Sequence, residues 1–211
     1  ALAAYGNGRR VGLNAINIRD EDELIDVQVT GGDDEVILAT REGMAIRFSE
    51  SGCRVIGRVA AGVRGILLRE GDLVVGMVVV RPDSSLLVVT EGGMGKRTEV
   101  NAYRLQRRAG RGVINMKLSD RTGKVVSIKS VVSGEELVLI TRGGVVNRQR
   151  ADEIRIIGRA TQGVRLVSLD DDDEIMDVAR IVPDENGVDM IGDDVRSGEE
   201  TGVSSEEEGD G

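Results

Sequence analysis

The chain has 211 residues and a net charge of −9, with 40% hydrophobic residues but only two tyrosines, one phenylalanine and no tryptophan. It has no histidine and one cysteine, Cys53, which excludes histidine acid–base catalysis, histidine metal sites, zinc fingers and an internal disulfide. No signal peptide is legible at Ala1, and the longest apolar stretch, Leu73 to Val80, is too short to cross a bilayer; no membrane contact and a cytoplasmic location are expected.

A block of about fifty residues is written three times, preceded by half a copy. The half-copy holds Gly12-Leu13 and an apolar run from Leu24 to Val27. Because the chain begins in mid-repeat, a fragment of a larger ring is expected, its leading half-blade seeking partner strands. The first full copy predicts strands over Glu35–Ala39 and Met44–Phe48, joined by Arg41-Glu42-Gly43, whose glycine suits a positive φ. A polar loop from Ser49 to Ala61 follows, then a third strand near Val63 and a fourth from Leu73. The second copy repeats this with Glu91-Gly92-Gly93, Gly112-Val113 and the run Val125 to Ile128. The third does so with Arg142-Gly143-Gly144, Gly163-Val164 and Ile175 to Val178. The turns begin at Thr40, Thr90 and Thr141, a spacing of 50 and 51 residues, which is the period of a propeller or solenoid-like array.

Continuous apolar runs suit strands buried on both faces, and no segment sustains a 3.6-residue period. The fold class is therefore all-β: four-stranded blades in a β-propeller-like array over 1–183. From Asp184 to Gly211 eleven acids face Arg196 alone, so this stretch carries −10 and the body +1. Such a tail is expected to be disordered.

The cations recur with the blades. The half-copy supplies Arg9 and Arg10. The first copy supplies Arg41, Arg47, Arg54, Arg58 and Arg64. The second supplies Lys96, Arg97, Arg104 and the loop Gln106-Arg107-Arg108-Ala109-Gly110-Arg111-Gly112; the third supplies Arg142, Arg148, Arg150, Arg155, Arg159 and Arg165. Acids gather in the next loop instead, at Asp20 to Glu23, Glu70 with Asp72, and Asp170 to Glu174. Side chains at one place in successive blades fall on one rim. Repeated arginines there can neutralise successive phosphates of a bent duplex, their forks holding phosphate oxygens while glycines let the backbone approach. The competing reading for any one arginine is a solvated surface paired with acids. Gly92-Gly93-Met94-Gly95-Lys96-Arg97 lacks the Ser/Thr of a phosphate loop, and Asp170 to Glu174 lacks the spacing of a calcium loop. No metal or nucleotide site is therefore expected. Tyr103 is expected to pack rather than flank DNA. So few aromatics disfavour single-strand stacking and a protein-binding propeller scaffold.

On the loop Gln106 to Gly112, and on Gly62-Val63-Arg64-Gly65-Ile66, Gly95-Lys96-Arg97-Thr98 and Ile157-Gly158-Arg159-Ala160-Thr161-Gln162-Gly163-Val164, the chain resembles the C-terminal domain of DNA gyrase A. That family carries a Gln-Arg-Arg-Gly-Gly-Lys-Gly box; here Ala109 and Arg111 stand at its fourth and sixth positions. The family's box lies in its first blade, whereas this loop is in the second full copy. The order of the repeats resembles the closing half of a six-bladed β-pinwheel, about three and a half blades being present, with an acidic tail like the family's. The resemblance implies wrapping of double-stranded DNA around a basic rim, so that ATP-dependent strand passage introduces negative supercoils. It implies the rest of gyrase A, together with gyrase B, as partners. It also implies a bacterial, nucleoid-associated setting, and ATP and Mg²⁺ used elsewhere in the parent enzyme rather than in this chain. The C-terminal DNA-binding domain of topoisomerase IV is the alternative. Self-association through open blade edges is a further expectation.

Overall fold

A computed structural model describes residues 14–57, 60–183 and 189–191. The hairpins form where the sequence predicts them. Strands β1 (Glu35–Thr40) and β2 (Met44–Ser49), β4 (Ser85–Thr90) and β5 (Met94–Glu99), and β8 (Glu136–Thr141) and β9 (Val146–Arg150) are antiparallel pairs. The glycine ending each turn has positive φ: +78° at Gly43, +70° at Gly93 and +83° at Gly144. The fourth strand of each copy, β3 (Val74–Val79), β7 (Val125–Val131) and β11 (Ile175–Pro183), runs antiparallel on the other side of the first.

The third strand differs from expectation. It is only two residues long, β6 (Val113–Ile114) and β10 (Val164–Arg165), and it does not join its own copy. β6 pairs with β2 of the preceding copy and β10 with β5 of the preceding copy. The sheet orders are β3-β1-β2-β6 and β10-β5-β4-β7, so each sheet holds three strands of one copy and one of the next. No strand forms near Val63, where Ile66 makes only an isolated bridge to Gly110. The run Leu24 to Val27 is no strand either. Without a first and second strand of its own copy beside it, the run has no ladder to join; Leu24 and Val27 stay exposed. The half-copy's Gly12-Leu13 lies outside the described residues.

Close approach makes this exchange possible. A Cβ on Gly112 would sit 2.3 Å from the Ala45 carbonyl oxygen, and one on Gly163 2.6 Å from that of Gly95; both have φ above +70°. Only glycine meets both constraints.

The third sheet reads β12-β11-β8-β9, where β12 (Asp189–Ile191) pairs antiparallel with β11. A short ladder therefore crosses the boundary drawn at residue 183, because the free edge of β11 accepts backbone hydrogen bonds. The opposite edge, β9, receives no strand among the described residues, and Val145 and Val146 lie exposed there.

The core explains the uninterrupted apolar runs. Leu86 and Val88 face the first blade in a cluster with Ile37, Val78, Tyr103 and Ile128; Leu87 and Val89 face the third with Leu137, Leu139, Ile154 and Val178. The central β4 is thus buried on both faces. The fourth strands of the three copies face one another around a cavity of about 920 Å³, also lined by Ile25 and Val29. The fourth strands are innermost, and the exchanged strands and their loops form the outer margin.

At the inner margin one carboxylate ties the copies. Glu135, 4% exposed, accepts from Arg81 (2.8 and 3.0 Å), Arg180 (2.9 Å) and the Val132 N–H (2.9 Å). Burial pushes its pKa up, but the Arg81 fork, the Val132 N–H and the two guanidinium charges outweigh that and hold it below the usual carboxylate range. Its folded pKa being depressed, the stabilisation is present above the unfolded value near 4.5 and is lost as pH falls through the folded one. Glu135→Gln should therefore cost about 3 kcal/mol at pH 7. In urea titrations the gap between variant and parent should narrow below about pH 4.

Candidate nucleic-acid interface

The recurring cations divide into two sets. The inward set holds the blades together. Arg47 on β2 donates to Glu35 (2.6 Å) and to the carbonyls of Val100 (3.0 Å) and Tyr103 (3.1 Å) in the next copy. Arg97, at the same place on β5, is 8% exposed, donates to the Ile154 carbonyl (2.9 Å) and faces Asp152 at 3.6 Å. Lys96 is fully buried; its ammonium donates to the carbonyls of Gly158 (2.9 Å) and Arg159 and to Thr161 Oγ1 (3.3 Å). Burial, then the Arg159 charge, brings its pKa down to about 8. Expected on the rim, Lys96, Arg97 and Arg47 instead clamp the following copy, because their strands lie beneath the exchanged loop. Arg148, the third member of the Arg47 series, is half exposed on the open β9 and bound to Glu136.

Arg108 and Arg159 also act between copies, from the loop side. Arg108 donates to the Gly52 (2.8 Å) and Arg64 (3.0 Å) carbonyls, and Arg159 to those of Ala102 (3.1 Å) and Ile114 (2.7 Å). Donors and acceptors are both offset by one repeat length, so this is one clamp built twice. Both guanidinium groups remain at the surface.

The outward set is different. Arg64, Arg104, Arg107, Arg111 and Arg165 are exposed, and none makes a side-chain hydrogen bond or ion pair among the described residues. Arg54 and Arg155 share that state; they stand at the register of Arg104, each just after a short 3-10 turn. All three are among the recurring cations of the sequence, and the offsets of 50 and 51 residues mark them as one series.

The loop Gln106–Gly112 packs on the first blade. Gln106 N–H donates to the Arg47 carbonyl (2.8 Å), Ala109 N–H donates to Gly65 O, and Leu67 N–H reaches the Gly110 carbonyl (2.9 Å). Gln106 is half-buried and Gly110 and Gly112 supply backbone, so Arg107 and Arg111 are the groups this loop offers to a ligand. Arg9, Arg10 and Arg58 lie outside the described residues.

The acidic loops are partly structural too. Asp72 is buried and accepts the N–H groups of Glu42 and Leu73 (both 2.9 Å); Asp173 accepts those of Gly143 and Glu174 (both 2.9 Å). They cap the hairpin turns. Ion pairs Arg41–Glu91, Lys124–Glu42 and Arg142–Glu174 sit beside these turns, on the opposite ends of the hairpins from the 3-10 turns. Tyr103 is fully buried, its hydroxyl donating to Asn115 (2.6 Å), and Phe48 is 5% exposed. No described aromatic ring is available to stack on a base or anchor a protein partner. Among the described residues there is no group of three or more acids and cysteines placed to hold a metal, and no helix long and apolar enough to cross a membrane.

A family model described as "DNA gyrase C-terminal domain, beta-propeller" matches residues 2–30, 34–81, 84–131 and 135–181, half a copy and three full ones. DNA gyrase A of Clostridium acetobutylicum is 48% identical over 185 residues, covering 88% of this chain and 22% of that protein. The gyrase A of Halalkalibacterium halodurans is 53% identical over 180 residues (85% and 22%), and that of Escherichia coli 40% over 201 residues (94% and 23%). The chain thus spans about a fifth of these relatives' length. Among solved structures, the C-terminal domain of DNA topoisomerase IV superposes with a TM-score of 0.81 at 27% identity, covering 85% of this chain and 57% of the other. A DNA gyrase A C-terminal domain gives 0.75 at 27% identity (81% and 58%).

Two substitutions separate scaffold from surface. Lys96→Met leaves three acceptors without their ammonium and should lower stability by about 2 kcal/mol, while the salt dependence of any duplex binding stays unchanged. Ala109 holds φ +65°, a conformation that strains any residue with a Cβ. Ala109→Gly relieves that strain, partly offset by the freer unfolded chain; chemical denaturation should show a gain of about 0.5 kcal/mol.

Proposed function

The chain belongs to the DNA gyrase C-terminal domain family, and on that premise we propose that it binds and bends double-stranded DNA along its outer margin, without sequence preference. The observation that carries this reading is the series Arg54, Arg104 and Arg155, unpaired and exposed at one register of three successive copies. Arg64, Arg107, Arg111 and Arg165 widen that track. The inward cations fix the spacing of the track without touching the duplex. Arg108 and Arg159 hold the loops, with surface guanidinium faces left for a nearby phosphate.

Wrapping a duplex in a fixed sense would present a neighbouring segment to a DNA gate and so direct ATP-dependent strand passage toward negative supercoils. In that setting the partners are the remainder of gyrase A, together with gyrase B, with ATP and Mg²⁺ used there, in a bacterial cytoplasm near the nucleoid. The acidic residues 184–211 would compete with DNA for the track. The exposed β9 edge offers a place for a further blade or a second copy.

The high TM-score to the topoisomerase IV domain supports a second reading, DNA binding with little wrapping. Topological footprinting on a relaxed closed circle decides between them: the first predicts a linking-number shift that persists after ligation, the second predicts binding without one. Truncation after residue 192, which retains β12, should enlarge the shift if the tail competes.

Replacement of Arg54, Arg104 and Arg155 by alanine should lower the slope of log affinity against log salt by about 2.7, at about 0.9 per phosphate contact. An unchanged slope would remove these arginines from the interface.

A further inference from the structure

Each arginine of the series Arg54, Arg104 and Arg155 is followed by an exposed aliphatic side chain. Val55 is 87% exposed, Leu105 56% and Ile156 47%. Single exposed aliphatic residues are common and mean little. Three at one register of three copies, each adjoining an unpaired guanidinium, form a pattern that scattered surface residues do not. The residue before the arginine is buried in two copies, at Tyr103 and Ile154, and half-buried in the other, at Cys53. The chain is therefore anchored on one side and presents the arginine and the aliphatic group outward.

The platform is fixed rather than loose. Leu105 forms a parallel bridge to Arg47 and Ile156 one to Arg97, on the outer strands of the preceding blades. The next residues repeat one hydrogen bond, Gln106 N–H to the Arg47 carbonyl (2.8 Å) and Ile157 N–H to the Arg97 carbonyl (2.9 Å). The two aliphatic groups thus ride on ladders held by the same inward arginines, half-buried Arg47 and buried Arg97, that space the blades.

The geometry points to a DNA contact of a second kind: Val55, Leu105 and Ile156 pack against the deoxyribose edges of the minor groove, wherever that groove turns toward the rim, while Arg54, Arg104 and Arg155 hold the flanking phosphates. This rests on the duplex-binding reading above. The complementary charge beside each aliphatic group fixes the occupant as a polyanion. The polyanion must also bear apolar surface between its charges, which the sugar edges of a duplex do. Compression of the minor groove on the inside of a bend brings those edges to a rim. The contact adds affinity without reading sequence, since sugars are common to every base pair.

The test uses the 211-residue chain and an A·T-rich duplex several helical turns long, whose minor groove distamycin can fill. The variant carries Val55→Ser, Leu105→Ser and Ile156→Ser. All three sites are exposed, so the melting temperature should stay within about 2 °C of the parent. Duplex affinity should fall about tenfold at fixed salt, as expected for loss of three partly buried side chains, while the log–log salt slope stays that of the parent. Saturating the duplex with the minor-groove ligand distamycin should abolish the difference between variant and parent. Unchanged affinity overturns the proposal, and so does a loss accompanied by a lower salt slope. A difference that survives distamycin places the aliphatic groups away from the minor groove and overturns it as well. Parent binding with full salt dependence alongside any of these results leaves the duplex-binding reading standing; absence of duplex binding by the parent removes both.

Discussion

The array depends on one contact: the edges of the first two blades are each closed by two residues belonging to the next copy. β6 on β2 and β10 on β5 are minimal ladders, too short to hold by themselves. They are held by what surrounds them. Gly112 and Gly163 allow backbone to meet backbone, Arg47 and Arg97 seize the carbonyls of the following 3-10 turn, and Arg108 and Arg159 reach back the other way. The Arg97 bond to the Ile154 carbonyl is buried, where an unmet acceptor would be costly; the Arg47 bonds are partly buried and those of Arg108 and Arg159 lie at the surface. Cation and glycine therefore serve the joint before they serve any ligand.

That constraint sorts the basic residues. A cation whose strand lies under the exchanged loop is captured by backbone carbonyls; one in the loop above it faces solvent. Lys96 and Arg104 are eight residues apart in sequence, yet one is fully buried and the other exposed. The body's near-neutral balance conceals a surface on which the unpaired positive groups occupy the margin. Among the acids, Asp72 and Asp173 are engaged by turn N–H groups, and Glu42 and Glu91 by ion pairs at the other end of the hairpins.

The hairpins, their glycine turns, the fourth strands and the fifty-residue period were legible in the sequence because they are local: an apolar run, a turn residue with positive φ, another run. The exchange was not. Its strands are two residues long, below any periodic signal, and their partners lie 68 or 69 positions away, as for Val113 with Ala45 and Val164 with Gly95. Leu24 to Val27 shows the opposite failure, an apolar run with strand composition that forms no strand because the partner strands of its own copy are missing beside it. For the interface, the repeat register carried the right information, but residue type alone could not distinguish Arg97 from Arg104. The distinction is which side of the exchanged loop a position occupies.

Exchange at the two joints between full copies also bears on how such a chain can change length. A cut between copies never coincides with a cut between sheets, so deleting one whole period from the middle joins a strand pair to the correct successor and leaves no raw edge. Duplicating a period works equally well. Lineages of this architecture can therefore gain or lose blades by simple unequal recombination, at any point within the period, and the length of rim offered to a ligand changes by one unit each time.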